Sequence, residues 1–454
     1  MSSSLIIQQL EIIPDLLALH ASNPERYPHL LTSNASVINA HKSNQLARYD
    51  ILFACPQQTI KSDNGDFLQQ LDIAWQSEKQ SIEKTHLPFS GGWFLYLGYE
   101  LAQQIETGLN LPAAEDGLPV AFATRFPAAI IIDAHEQQAY LVCEAKSKTY
   151  VEQIEADLLS NLLSDLTTAK TSQPFRIKNI QEDDEGSYFQ QLEKLHHYIV
   201  EGDVFQVNLS RCWKTELVSD EINHASLYHQ LSQSNPGPFN ALLTLGDKAI
   251  ISSSPERLIQ VKDGCLQTRP IAGTRPRSID NTADNNLSNE LLAHPKERAE
   301  HIMLIDLERN DMGRVCVPGS IEVNELMVLE SYQHVHHIVS NVCGRLRDDI
   351  TPGQLIAAVF PGGTITGCPK VRCMEILAEL EQVGRGAYTG SLGYLNHDGS
   401  MDLNILIRTI TRNAKKLQFR AGGGIVVDSD SQNELNETRA KAKGLLHALQ
   451  TGNQ

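Results

Sequence analysis

Apolar residues recur at intervals of three and four over 149–168, where Val151, Ile154, Leu158, Leu159, Leu162, Leu163 and Leu166 share one face of a predicted helix. The period then stops. From Ala169 to Gly186 the chain is polar, punctuated by Pro174 and by Gln181-Glu182-Asp183-Asp184-Glu185-Gly186, which marks a seam between a part spanning 1–170 and a part spanning 186–454. A helix is predicted from Tyr188 to Val200, ended near Gly202, and 204–209 alternates like a strand. Further strands are predicted at 239–245, 248–253, 257–262, 265–269, 314–329, 334–346, 388–396, 401–412 and 416–427. Helices are predicted at 294–309, 352–359, 368–381 and 431–450. The N-terminal third adds strand runs at 48–53, 91–97, 128–133 and 139–143. Hairpin-spaced strands with unevenly inserted helices point to an α+β fold rather than a regular βαβ repeat.

Composition narrows the class. The 454 residues leave room for two to four domains of about 100–200 residues each. With 41% hydrophobic and 20% charged residues, a mainly disordered chain is excluded. The 38 Lys and Arg against 55 Asp and Glu give a formal charge of −17, which repels a polyphosphate surface and excludes a general nucleic-acid binder. No run reaches the roughly 18 consecutive apolar residues of a membrane span. Met1-Ser2-Ser3-Ser4-Leu5 lacks the basic start of a secretory leader, so the expected compartment is the cytoplasm. The cysteines are scattered and only Cys368 and Cys373 are close, a pattern of reduced thiols rather than of a zinc site.

Two carboxylate pairs are the first candidates for chemistry. Glu297 and Glu300 lie three apart on one predicted helix, Glu434 and Glu437 three apart on another, and that spacing puts each pair on one helix face. Two such faces brought together would suit a hard divalent cation. On spacing alone a solvated helix surface, with Arg298 and Arg439 as counter-charges, is the more ordinary reading. Ser254-Pro255-Glu256 ends a strand at a sharp turn, where a buried Glu could act as a general acid. His334, His336 and His337 alternate in one predicted strand, with 334 and 336 on one face and 337 on the other, which suits one functional histidine better than a three-histidine metal site. The run from Gly362 to Lys370 fails the order of a phosphate loop, because Cys368 and Pro369 separate the glycine from the lysine. It and Gly422-Gly423-Gly424 can still offer bare N–H groups to a carboxylate, with Lys370 and Arg408 as further anion partners.

In chain order these segments resemble the chorismate-utilising enzymes. The resemblance runs over about 186–450. It is carried by the run from Val204 to Arg211, Ser254-Pro255-Glu256-Arg257, Pro270-Ile271-Ala272-Gly273-Thr274-Arg275, the 300–311 helix with Arg309-Asn310-Asp311, and His337-Ile338-Val339-Ser340. The 361–370 loop, Gly390-Ser391-Leu392-Gly393-Tyr394, Ile407-Arg408-Thr409, the 422–424 glycines and Glu437-Thr438-Arg439-Ala440-Lys441-Ala442 complete it. A weaker likeness covers the first part through Leu30-Leu31-Thr32-Ser33 and Gly98-Tyr99-Glu100. The family's fold is that of the anthranilate synthase large subunit, an α+β body of two facing antiparallel β-sheets flanked by helices. The resemblance makes 1–170 its N-terminal domain and 186–454 its chorismate-binding catalytic domain.

The resemblance also implies roles. Glu300 and Glu437 correspond to Mg²⁺ ligands, with Glu297 and Glu434 behind them. Glu256 corresponds to the acid that protonates the departing ring hydroxyl, and His337 assists at the ring. Tyr394, Arg408, Lys441 and the backbone of Gly422, Gly423 and Gly424 would hold the pyruvyl carboxylate, while Gly273 and Thr274 would line the ring pocket. Water-using members resemble one another in carrying a Lys base where this chain has Gln206, so an ammonia-using enzyme is implied, fed by a separate glutaminase subunit in a heterodimer. The 361–367 loop, Pro238-Phe239-Asn240-Ala241 and Leu30-Leu31-Thr32-Ser33 lean toward the type that makes 4-amino-4-deoxychorismate for p-aminobenzoate. Ala272 points the other way, to the type that makes anthranilate, because some of the former carry there a Lys that bonds the ring. A non-catalytic regulatory paralogue is a third reading, opposed by the presence of every named polar residue.

Overall fold

Among the described residues the molecule is built on two antiparallel sheets of twelve and ten strands. The computed structural model describes residues 5–33, 48–79, 85–163, 171, 173–219, 222–278, 280–332 and 335–451. In the first sheet the neighbours run Leu5–Leu10, Gln138–Glu144, Ala128–Asp133, Tyr49–Ala54, His29–Thr32, Phe239–Leu245, Lys248–Ser254, Thr409–Asn413, Lys416–Ile425, Gln206–Glu216 and Gly367–Cys368. The second runs Ile271–Pro276, Val335–Arg345, Cys265–Thr268, Arg257–Lys262, Met401–Asn404, Ser391–Asn396, Gly92–Leu97, Ala121–Phe126 and Thr59–Lys61, and its tenth strand, Glu322–Ser331, pairs with Val335–Arg345 off this path. Each sheet therefore contains strands from both sides of the polar seam. Within the seam itself, Gln181–Glu182 pairs with Trp213 and Lys214.

Strand alternation explains the layers. Ile51 and Phe53 join Phe94, Tyr96, Leu243 and Ile250 in the core between the sheets, while their chain neighbours Leu52 and Ala54 face a helix layer on the first sheet's outer side. Trp93, Leu95 and Leu97 face the helices behind the second sheet. Phe53, Phe89, Phe94 and Phe126 meet edge-on or tilted in the middle layer, the arrangement ring quadrupoles favour. This is the α+β arrangement of two facing sheets that the resemblance implied.

The differences from the expected elements have local causes. The run at 401–412 is two strands, Met401–Asn404 and Thr409–Asn413, because the chain passes from one sheet to the other between them. The strand expected from 314 begins at Glu322, since the preceding helix continues from Pro295 to Gly313 and a turn follows. That helix starts with Pro295 in its first turn, where no N–H is needed, and His294 caps it. A helix over Asn281–Ala293 was not expected; its asparagine-rich start hides the period, and Asp280 caps it. His334 and the end of the helix expected to 168 lie outside the described residues. Among the described residues no helix is long and apolar enough to cross a membrane.

Candidate functional site

Two sheet-to-sheet crossovers lie side by side and form the floor of the site. Pro255 and Glu256 carry the chain from Lys248–Ser254 to Arg257–Lys262; residues 405–408 carry it back from Met401–Asn404 to Thr409–Asn413. Ser252 pairs with Thr409 on one side and Arg257 with Asn404 on the other. Across the gap, Ile405 N donates to Glu256 O at 3.0 Å and Ser253 N to Arg408 O at 3.1 Å. Arg408 takes a left-handed φ of 53°, a conformation that costs a non-glycine residue about 1–2 kcal/mol and is held here by those bonds.

Glu256 is 6% exposed, and the Thr364 hydroxyl donates to its Oε1 at 2.9 Å. Burial pushes its carboxyl up to about 7, against the opposing pull of Thr364, Arg408 and Lys441. Arg408 donates no hydrogen bond among the described residues. Its electrostatic neighbours are the Tyr388 phenol and the carboxylates of Glu256 and Glu437, and burial draws its guanidinium below the usual range. A guanidinium that donates no hydrogen bond, beside a carboxyl whose ionisation burial disfavours, is suited to an incoming carboxylate.

The three glycines line the next wall. They lie within strand Lys416–Ile425 rather than in a loop, opposite Ser210, Leu209 and Asn208. Pairing with Thr409–Asn413 covers 416–419 only, so at the glycines the strand has one neighbour and an open edge. A methyl on Gly423 would stand 3.1 Å from Glu434 Oε2 and 3.5 Å from Glu437 Oε1; one on Gly424 would stand 2.1 Å from Gln206 Nε2. Lys441 Nζ bridges Glu437 Oε1 at 2.6 Å and Gly422 O at 2.9 Å. Gln206 is buried and its Oε1 has no hydrogen-bond partner, an acceptor that normally finds one.

The far wall is the bulged strand Ile271–Pro276. Gly273 has φ 63° and faces Glu297, whose Oε2 would lie 2.8 Å from an added methyl. Arg275 holds Glu297 Oε1 at 3.2 Å. The Thr274 hydroxyl and His337 Nδ1 are 3.0 Å apart, and burial lowers His337 to about 4, so its ring is neutral. His336 points to the other face, bonded to Ser331 and Asp284.

Three comparisons bear on this geometry. Residues 31–447 match the family model described as "chorismate binding enzyme". The chain belongs to the chorismate binding enzymes. It is 41% identical over 394 residues to aminodeoxychorismate synthase component 1 of Bacillus subtilis, covering 85% of this chain and 83% of that one. It is 39% identical over 438 residues to anthranilate synthase component 1 of Acinetobacter calcoaceticus, covering 89% and 87%. Among solved structures, anthranilate synthase component I from Streptococcus pneumoniae superposes with a TM-score of 0.78 at 31% identity, covering 90% of this chain and 93% of that one.

Two expectations for this chorismate binding enzyme meet a different placement. The Tyr394 ring lies in the core between the sheets, edge-on to Phe89, and is not brought to Arg408. Tyr388 is: its hydroxyl would stand 2.9 Å from a methyl on Gly422, and Arg408 is among its neighbours. Its sequence signal is Ala387-Tyr388-Thr389-Gly390, which runs directly into the Gly390–Tyr394 motif. Lys370 does not open onto the site, because its Nζ is held by Asp311 Oδ2 at 2.5 Å and Val359 O at 3.2 Å. A cavity of about 1090 Å³ is lined by Ser33, Phe239, Arg257 and Tyr394 among others, and by neither Glu256 nor Arg408. All the cysteines are free.

Among the described residues no three His, Cys, Asp or Glu groups converge as a metal cluster. Mg²⁺ does not require one, since it usually takes one or two carboxylates and completes its shell with water and substrate oxygens. The carboxylates of Glu434 and Glu437 beside Gly423, and those on the helix face of Glu297 and Glu300, are hard oxygen donors of that kind.

Proposed function

We propose that this enzyme is the synthase component that aminates chorismate at ring position 4, giving 4-amino-4-deoxychorismate, with ammonia from a separate glutaminase subunit and with Mg²⁺ as cofactor. The observation that carries the chorismate chemistry is the Arg408 guanidinium, which donates no hydrogen bond among the described residues, beside the buried Glu256, whose carboxyl burial pushes up to about 7. Glu256 gives its proton to the ring hydroxyl, which leaves as water. Arg408, with Tyr388 beside it, takes the pyruvyl carboxylate, and Thr274 and His337 border the ring. Mg²⁺ held by Glu300 and Glu437, with Glu297 and Glu434 behind them, would neutralise the ring carboxylate.

Gln206 supports ammonia as the nucleophile. A neutral amide cannot take a proton from water, whereas its unpartnered Oε1 can accept a hydrogen bond from ammonia. Position 4 rests on the likeness of the 361–367 loop and of Pro238-Phe239-Asn240-Ala241 to the aminodeoxychorismate type. The anthranilate reading is favoured by Ala272, whose methyl on strand Ile271–Pro276 cannot bond the ring. Incubation with chorismate, Mg²⁺ and ammonium, with and without aminodeoxychorismate lyase, separates the two. We expect p-aminobenzoate only with the lyase; fluorescent anthranilate without it would overturn position 4.

A further inference from the structure

Gly98-Tyr99-Glu100, a short run in the first part of the chain, meets the turn that carries Tyr388. Tyr99 N donates to Gly386 O at 2.8 Å, Arg385 N donates to Glu100 Oε1 at 2.6 Å, and Ala387 N donates to Asp116 Oδ2 at 3.2 Å. Gly386 takes φ 58°, and a methyl there would stand 2.1 Å from Asp116 Oδ2. Three residues from one side of the polar seam thereby hold a turn from the other. The buried Arg385 side chain continues the link. Its guanidinium lies over two rings, 5.0 Å from the Tyr99 centroid and 5.6 Å from the Tyr388 centroid, within reach of a cation–π contact with each. It also donates to Glu381 Oε2 at 2.9 Å, to Glu381 Oε1 at 2.7 Å and to Asn208 O at 2.6 Å. Asn208 is the residue paired with Gly424, and the Tyr388 hydroxyl stands beside Gly422.

We propose that Tyr99 is a positioning residue for the reaction: its ring fixes the Arg385 guanidinium, and through it the Tyr388 ring, so that the Tyr388 hydroxyl stands at the glycine strand where the substrate carboxylate is held. This rests on the reading of Tyr388 as part of that clamp. The Tyr99 hydroxyl is buried and has no hydrogen-bond partner among the described residues. An unpaired buried hydroxyl costs free energy, so what Tyr99 offers its neighbours is the face of its ring. Glu381 and Asn208 tie the guanidinium to the strand beside the glycines, and the two rings carry its position from the first part of the chain to Tyr388. The Gly98-Tyr99-Glu100 run thus reaches the site through one side chain, without supplying a group to the substrate.

The test is a double-mutant cycle on the full chain. Tyr99→Leu removes the ring face and is expected to raise the KM for chorismate by about 2- to 5-fold, the scale of one cation–π contact, with kcat as in the parent. In a Tyr388→Phe background the same substitution should raise KM no further, because the hydroxyl it would displace is already gone. A purely structural Tyr99 would instead lower the melting temperature in both backgrounds and leave KM alone. No rise in KM, the same rise in both backgrounds, or a loss confined to kcat overturns the proposal. Tyr99→Met, whose flexible side chain fills gaps better, takes the place of Tyr99→Leu in the cycle if the latter does not fold. Tyr99→Phe loses only the unpartnered hydroxyl, so it should keep the parent KM and melt no lower; a raised KM there overturns the role of the ring. A parent KM in Tyr388→Phe alone would remove Tyr388 from the clamp and this proposal with it. A raised KM in Tyr388→Phe with none in Tyr99→Leu removes Tyr99 only.

Discussion

Glu256 and Arg408 stand on two adjacent crossovers between the sheets, joined by the bonds from Ile405 N to Glu256 O and from Ser253 N to Arg408 O. An acid and a cation are thereby fixed side by side by main chain, and neither needs a flexible loop to meet the other. Loss of the Arg408 side chain should weaken the grip on a carboxylate without moving Glu256. Arg408→Ala is expected to raise the KM for chorismate by about 10- to 100-fold, the scale of one or two charge-assisted hydrogen bonds. Arg408→Lys should recover only part of it, because a point charge lacks the planar fork. Steady-state kinetics on both variants check this.

Glu256→Gln should abolish turnover and keep Mg²⁺-dependent chorismate binding. It also makes a stability prediction. In the unfolded chain this carboxyl ionises around its ordinary 4.5, and in the folded chain at about 7. Between those values the unfolded state binds fewer protons, so stability falls as pH rises through the window, and the full penalty is present above it. The shift corresponds to on the order of 3 kcal/mol at most. Glu256→Gln is therefore expected to melt higher than the parent at pH 8 and at about the same temperature at pH 4. Equal melting curves at pH 8 would contradict the buried neutral acid.

The layers were legible in the sequence because alternation survives wherever both faces of a strand are covered, as at 51–54 and 248–254. The crossover was not. Ile405 and Leu406, both buried, and the half-buried Ile407 extend the apolar run of their neighbours, so pattern alone joined two strands that belong to different sheets. The Ile407-Arg408-Thr409 motif marks Arg408, but its place at that switch depends on contacts with Ser253, about 150 positions away in the chain. The same limit explains Tyr394. It shares a glycine-rich run with Tyr388, and only sheet pairing shows that one ring faces the inter-sheet core and the other the glycine strand.

Gly424 offers a test of Gln206 that leaves Gln206 in place. The atom that an added methyl would strike is the end of the Gln206 side chain, at 2.1 Å, which can swing away. Gly424→Ala should fold normally and displace the amide. The KM for ammonium is expected to rise about 5- to 10-fold, the scale of one neutral hydrogen bond, while chorismate binding changes little. Gly273→Ala differs, since φ 63° strains any side chain there and Leu291 Cδ1 also stands at 2.8 Å; it should lower thermal stability as well as activity.

Removing the cation by chelation should stop turnover reversibly, and Glu437→Ala should raise the Mg²⁺ concentration needed for half-maximal rate. The variant also takes from Lys441 one of its two partners, Glu437 at 2.6 Å, and leaves Gly422 O at 2.9 Å. A double variant with Lys441→Met separates the two effects: the shifted Mg²⁺ requirement should persist in it. An Mg²⁺ titration unchanged in Glu437→Ala would remove this residue from the ligand set.

The two tyrosines divide cleanly. Tyr388 is buried against Arg408 and Gly422, so Tyr388→Phe removes a hydroxyl at the candidate carboxylate site. Its KM for chorismate should rise by about 5-fold, the scale of a single neutral hydrogen bond, with the fold unchanged because the ring remains. Tyr394 packs on Phe89 between the sheets and lines the cavity of about 1090 Å³. Tyr394→Phe should leave KM and kcat as they are. The paired kinetics decide which tyrosine serves the site: a KM change in Tyr394→Phe alone would restore the role first read for it from the sequence and remove Tyr388 from the clamp.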